Sequence, residues 1–116
     1  MRLTPQILEA AYVFLQATPP FRGWGLPSSE TISWRVTRHR DRWGECGNES
    51  GENHWISISE HKVAHSNTLL WTIAHEMVHL RQVIKRTETR NAEHNAEFVR
   101  LWQMVARHHG WDPKTL

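Results

Sequence analysis

The sequence predicts an α+β domain with three helices and a small antiparallel sheet of about three strands. Apolar residues recur at helical spacing in three separate segments, and shorter segments between the first two of these alternate apolar with polar residues. A chain of 116 residues fits one domain spanning residues 1–116. With 39% hydrophobic and 22% charged residues, its composition excludes a disordered chain and a membrane protein.

The first helix is predicted over about residues 5–17. Thr4 can cap it, Pro5 suits its first position, and the run Thr18-Pro19-Pro20 ends it. This N-terminal stretch lacks the pattern of a signal peptide and is too polar to span a membrane. The single cysteine, Cys46, excludes an intramolecular disulfide and fits a reducing cytoplasm.

The middle of the chain contains the predicted strands. Residues 31–38 and 54–59 alternate apolar with polar side chains, and residues 42–46 form a third, shorter candidate. Glycine and asparagine dominate residues 47–53, which we expect to form a turn between the last two strands.

Two further helices follow the strands. The longer one is predicted to run to about residue 86, with Ser66 or Asn67 as its N-cap. The last is predicted over about residues 91–109 and ends at Gly110, a residue common at the end of helices.

The longer helix contains the motif His75-Glu76-Met77-Val78-His79. Histidines four positions apart lie on one face of a helix, where both imidazoles can reach one zinc ion. Glu76 lies about 100° round the helix from His75, so its carboxylate can reach a water on the metal. The alternative is that both histidines are ordinary polar positions of an amphipathic helix.

A catalytic zinc site has three protein ligands and a water, so a third ligand is required. The metzincin spacing is absent, because Gln82 and Lys85 occupy the positions of its glycine and histidine. His94 follows His79 by fifteen residues, and the connection is long enough to fold the last helix back. Phe98, one turn later, would then anchor that helix in the core. The downstream candidates are Glu88, Glu93, His94, Glu97, His108 and His109.

These residues resemble those of the SprT-like zinc metallopeptidases. The run 75–79, followed by His94 and Phe98, is similar to that family's H-E-x-x-H motif with a later histidine and a phenylalanine four positions beyond it. Residues 42–46, Arg-Trp-Gly-Glu-Cys, are similar to the family's R-W-G-x-C segment. The resemblance implies a minimal zincin-like fold, with Zn²⁺ bound by His75, His79 and a histidine, His94, on the C-terminal helix.

The chain departs from the family at several points. The family often has serine where Glu45 stands and glycine where Asn95 stands, and neither position holds a ligand. No cysteine-based ribbon or basic tail is present, although many family members use such extensions to bind DNA or partners. A net charge of +2 adds little electrostatic support for DNA association, which therefore stays open. We expect a minimal protein of a bacterial or phage-infected cell, in the cytoplasm and without membrane association.

The resemblance and the motif together predict a zinc-dependent metalloendopeptidase in which Glu76 activates a zinc-bound water. Its substrates would be proteins or peptides, including proteins bound or crosslinked to DNA. The strand over residues 54–59, if it borders the cleft, could pair with an extended substrate. Two alternatives are a non-catalytic zinc-containing module that binds DNA or protein, and a phage or bacterial metallopeptidase that cleaves one regulator. Candidates for stabilising the oxyanion are His39, Arg42, His54, His61, His65 and His108.

Overall fold

Three α-helices and one three-stranded sheet make up the computed structural model, which describes residues 2–49, 51–63 and 66–116. The predicted α+β class is confirmed. None of the helices in these ranges combines the length and apolarity that a membrane crossing needs. The elements in chain order are α1 (Pro5–Gln16), β1 (Ser33–Thr37), β2 (Gly44–Glu49), β3 (Glu52–Ser59), α2 (Ser66–Lys85) and α3 (Ala96–His109).

Helix α1 begins as its sequence predicts. The Thr4 hydroxyl accepts a hydrogen bond of 3.2 Å from the backbone N–H of Ile7, and Pro5 occupies the first turn, where a missing N–H costs nothing. One face of α1 is buried and contains Leu8, Tyr12 and Leu15. Helix α1 packs against α2 and β1.

The sheet is mixed, with strand order β1-β3-β2. Strand β2 pairs antiparallel with β3 as predicted, but β1 pairs parallel with β3, with Trp34 opposite Ile56 and Val36 opposite Ile58. The antiparallel prediction was therefore wrong for β1, because alternation indicates which face of a strand is buried and not the direction of its neighbour.

The central position of β3 corrects a second expectation. Residues 54–59 lie within β3, which has β1 on one side and β2 on the other, so this strand has no edge to offer to a substrate. Among the described strands, β2 is the edge strand that contacts α2.

The hairpin between β2 and β3 is longer than its glycine-rich sequence predicts. Gly47 lies in β2 opposite Trp55, and a Cβ at position 47 would overlap the indole ring of Trp55. Glycine is therefore present here for a close side-chain approach within the strand, and β2 continues to Glu49 before β3 begins at Glu52.

Helix α2 passes through the centre of the molecule. Ile73, Met77 and Leu80 are fully buried, and the helix contacts α1, α3, β2 and β3. The prediction that Ser66 or Asn67 caps α2 concerns side chains outside the described part of the chain.

Helix α3 begins later than predicted. Asn95, rather than Asn91, is the N-cap, and its side-chain oxygen accepts a hydrogen bond of 2.9 Å from the N–H of Phe98. His94 therefore lies in the α2–α3 loop, one residue before this cap, and not on the helix as predicted. The helix ends as predicted at Gly110, whose φ of 76° is in the left-handed region that favours glycine.

Candidate metal centre

Helix α2 places His75 and His79 on one face. The centroids of the two imidazole rings are 5.1 Å apart, as expected for positions separated by one helical turn. His75 is only 8% exposed and lines the cavity described below, and His79 is half-buried beside it.

The α2–α3 loop brings His94 to the same point. His94 Nε2 lies 3.1 Å from His75 Nε2, and one ring nitrogen from each of the three histidines lies within 4.8 Å of the others. The predicted convergence of His75, His79 and His94 is confirmed. The described residues contain no other cluster of this kind with three or more His, Cys, Asp or Glu side chains.

This arrangement fits a tetrahedral metal ion. Two nitrogens bound at about 2.0–2.1 Å with a tetrahedral angle between them are about 3.3–3.4 Å apart. The separation of 3.1 Å between the Nε2 atoms of His75 and His94 is close to that value. Three imidazole nitrogens in one cluster therefore make a donor set that can hold a divalent cation.

Phe98 fixes the positions of the three imidazole rings. It is fully buried, and its ring centroid is 4.4 Å from that of His79, 4.4 Å from that of His94 and 5.0 Å from that of His75. The expected packing role of Phe98 is therefore confirmed, and each candidate ligand has an apolar surface behind it.

A polar network holds the loop that carries His94. Asn95 donates hydrogen bonds to the carbonyl of Thr87 at 3.1 Å and to the hydroxyl of Thr89 at 2.8 Å. Gln82 of α2, only 2% exposed, donates to the side-chain oxygens of Asn95 and Glu97, each at 2.9 Å. The loop is thus tied both to itself and to the helix that carries the other two histidines. Asparagine is a preferred N-cap, so residue type made Asn95 a candidate but did not distinguish it from Asn91.

Burial keeps His75 and His79 neutral. Desolvation, with smaller contributions from the neighbouring histidines, lowers the pKa of His75 to about 3 and that of His79 to about 4. Because a metal binds the neutral form of imidazole, these two side chains are already in their binding form at neutral pH.

Glu76 is buried beside the histidines. It is 5% exposed, and burial, followed by the nearby charges of Glu93 and Glu45, raises its pKa to about 8. A cation held by the three histidines would oppose this shift, since it favours the carboxylate form. A carboxyl group whose pKa lies near neutrality can both accept and return a proton.

The cluster opens into a cavity of about 890 Å³. Residues 42–44 line it at the start of β2, α2 lines it from Thr68 to Glu76, and Glu93 and His94 line it from the loop. The sequence interpretation did not anticipate the remaining wall, residues 109–116. Helical periodicity stops at Gly110, so nothing in the pattern indicated that the chain beyond it returns to the cleft.

The other candidate ligands lie outside the cluster. Glu93 lines the cavity, Glu97 bonds to Thr87 and Gln82, and His109 stacks on Trp111 at 5.0 Å. Of the candidates for stabilising the oxyanion, Arg42 lines the cavity. His65 lies outside the residues that the structure describes. The thiol of Cys46 has its pKa raised by burial, which favours a neutral packing residue.

The sequence matches a known protein family. A sequence model of the SprT-like family matches residues 14–115, nearly the whole chain. The search of curated proteins found no match to this sequence. The matched range contains the H-E-x-x-H motif, the α2–α3 loop and the whole cavity wall except Leu116.

Proposed function

Because the chain belongs to the SprT-like family, we propose that it is a zinc-dependent metalloendopeptidase. Family membership indicates a metallopeptidase-like activity in general, and the site supports the more specific assignment. The observation that carries it is the cluster of His75, His79 and His94, with ring nitrogens within 4.8 Å of one another beside buried Glu76 in an open cavity.

Zinc is the metal that suits this donor set best. Three neutral imidazoles with space for a fourth ligand are the usual protein contribution to a catalytic zinc site. A zinc ion bound there would supply a Lewis acid for the scissile carbonyl and would acidify a water. His75, His79 and His94 are the residues that would hold it.

Glu76 is the proposed general base. Its carboxylate would accept a proton from the attacking water and then deliver that proton to the nitrogen of the departing amine. Burial beside His75 supports this role, because a buried carboxyl group keeps its proton affinity near neutral pH.

Strand β2 is the proposed support for the substrate backbone. Its first residue, Gly44, lines the cavity, and β2 is the described edge strand on the side of α2. An extended peptide could add to that edge through main-chain hydrogen bonds, which favour no particular side chain. Proteins and peptides are therefore the proposed substrates.

The test compares Glu76→Gln with the wild type and with Glu88→Gln, a control at an exposed glutamate of the α2–α3 loop. Zinc content is measured by plasma mass spectrometry, and casein and histone digestion by electrophoresis. We expect Glu76→Gln to retain zinc and to lose at least about 100-fold in cleavage rate, as for loss of a general base. Glu88→Gln should match the wild type, and chelation should abolish cleavage.

Single-stranded DNA is included as a separate arm of the same assay. Stimulation by DNA would support DNA-bound proteins as the substrate class that the family resemblance implies. Full activity of Glu76→Gln would refute the mechanism. Zinc binding without cleavage, with or without DNA, would favour a non-catalytic binding module, and cleavage of one substrate among many would favour a regulator-specific peptidase.

A further inference from the structure

Tryptophan side chains form one wall of the cavity. Trp43, Trp71 and Trp111 line it, and we call these three residues the tryptophan wall. The centroid of the Trp43 ring is 5.9 Å from that of Trp71. Fully buried Trp102 lies behind the wall and links Trp71 to Trp111, with ring centroids 5.3 Å from that of Trp71 and 6.0 Å from that of Trp111.

The tryptophan wall adjoins the metal centre. The rings of Trp71 and His75 stack at a centroid distance of 5.4 Å with 24° between their planes. Each residue of an extended peptide advances about 3.3 Å. A side chain resting on the wall would therefore belong to a residue within one or two positions of the bond at the metal centre.

The wall keeps apolar surface in contact with solvent. Trp43 is 44% exposed, whereas Trp24 and Trp102, which pack in the core, are 8% and 0% exposed. A single exposed tryptophan is unremarkable in a folded protein. Here the exposed ring contacts half-buried Trp71, and half-buried Trp111 lines the same cavity; a concave site lined by aromatic side chains is typical of binding sites.

Charge at the cavity disfavours an acidic ligand group. Arg42 beside the wall is ion-paired with Asp41 at 3.2 Å and with Glu45 at 3.0 Å. Glu93, also in the cavity lining, would repel an acidic side chain. Indole rings pair favourably with another aromatic ring through stacked or edge-to-face contacts.

We propose that the tryptophan wall is a substrate subsite that binds one aromatic side chain next to the scissile bond. This inference rests on the proposed peptidase function and names a preference within it. Backbone pairing at β2 would hold many sequences, and the wall would select among them. An aromatic residue should bind about tenfold more tightly than alanine at that position, equivalent to about 1.4 kcal/mol.

The binding test uses zinc-loaded Glu76→Gln, which holds peptides without cleaving them. The ligands are N-acetylated, C-amidated hexapeptides, titrated by calorimetry. Each set places Phe, Ala, Arg or Asp at one position, and that position is moved along the peptide from set to set. At one position we expect Phe to bind about tenfold more tightly than Ala. Adding Trp43→Ala should reduce that ratio to threefold or less, while Trp43→Phe should largely retain it.

Phe14→Ala is the matched control, because Phe14 is an exposed aromatic residue of α1, 57% exposed and outside the cavity lining. It should leave the Phe-to-Ala ratio unchanged. Any one of three results would overturn the proposal. The Phe-to-Ala ratio could stay within twofold of unity at every position, Arg could bind more tightly than Phe, or a folded Trp43→Ala variant could keep the wild-type ratio. Thermal melting of each variant verifies folding.

Cleavage-site profiling separates this proposal from the proposed function. Wild-type protein digests a mixed peptide library, and mass spectrometry identifies the residues around each new terminus. Enrichment of aromatic residues at one position supports the subsite. Zinc-dependent cleavage without enrichment refutes the subsite and leaves the peptidase intact, whereas absence of cleavage refutes the proposed function itself.

Discussion

Replacing Asn95 with serine isolates the contribution of the α2–α3 loop to metal affinity. Serine is as good an N-cap as asparagine, so the bond from the N–H of Phe98 should be kept. The side chain of serine is too short to replace the bonds that Asn95 donates to Thr87 at 3.1 Å and to Thr89 at 2.8 Å. His94 precedes this residue directly, and its position should become less defined.

The size of the effect follows from the two lost bonds. Each contributes about 0.5–1.5 kcal/mol net, so the loop loses about 1–3 kcal/mol of its ordering free energy. At about 1.4 kcal/mol per factor of ten, zinc affinity should fall about 5- to 150-fold. That range agrees with the roughly 10- to 100-fold losses seen when residues supporting a metal ligand are removed.

Competition with a chromophoric chelator measures the zinc dissociation constant. Thr4→Ala serves as the control, because it removes the N-cap of α1, far along the chain from the histidines, at a cost of about 1 kcal/mol in stability. Its zinc affinity should equal that of the wild type. If Asn95→Ser binds zinc within threefold of the wild type, or Thr4→Ala weakens binding equally, the loop does not control the site as reasoned.

Three further predictions concern stability. Burial lowers the pKa of His75 to about 3, well below about 6.5 in an unfolded chain. The metal-free Glu76→Gln variant lacks the opposing titration of Glu76, so it should lose at least about 2 kcal/mol between pH 7 and pH 5 as the unfolded state takes up the proton; equal urea midpoints at the two pH values would contradict this. Phe98→Ala should lower the free energy of unfolding, measured in urea, by about 3–5 kcal/mol and should also weaken zinc binding. A decrease below about 1 kcal/mol would show that the ring does not anchor the site. Gly47→Ala should destabilise the protein by about 1–3 kcal/mol, because its methyl group overlaps the Trp55 ring, whereas Gly23→Ala, with no atom within 4 Å of the new Cβ, should melt like the wild type.

Local signals were sufficient for the parts of the fold that depend on near neighbours in sequence. Thr4 and Pro5 predicted the start of α1, and Gly110 predicted the end of α3, because caps act within one turn. His75 and His79 followed from helical spacing alone. His94 required the length of the connection, the position of Phe98 and the family resemblance.

Features that depend on packing between distant segments were missed. The parallel pairing of β1 with β3 leaves no trace in the alternation of either strand. The start of α3 was misplaced because Asn91 and Asn95 are equally good caps by residue type, and only the bonds of Asn95 to Gln82, Thr87 and Thr89 distinguish them. The tryptophan wall joins positions 43, 71 and 111, which no periodicity relates.

The two halves of the cleft differ in how much of the chain builds them. The three candidate ligands and Glu76 all fall within residues 75–94, a helix and the loop after it, whereas the tryptophan wall draws on residues from 43 to 111. Mutations at position 43 or 111 can therefore accumulate without changing a candidate ligand, so the proposed aromatic preference can diverge during evolution while the proposed metal site stays constant. The ligand unit closes a shorter stretch of chain than the wall, because His75 and His94 are 19 positions apart, whereas the wall joins residues 43 and 111. Assembling the wall therefore costs more loop-closure entropy than bringing the three candidate ligands together.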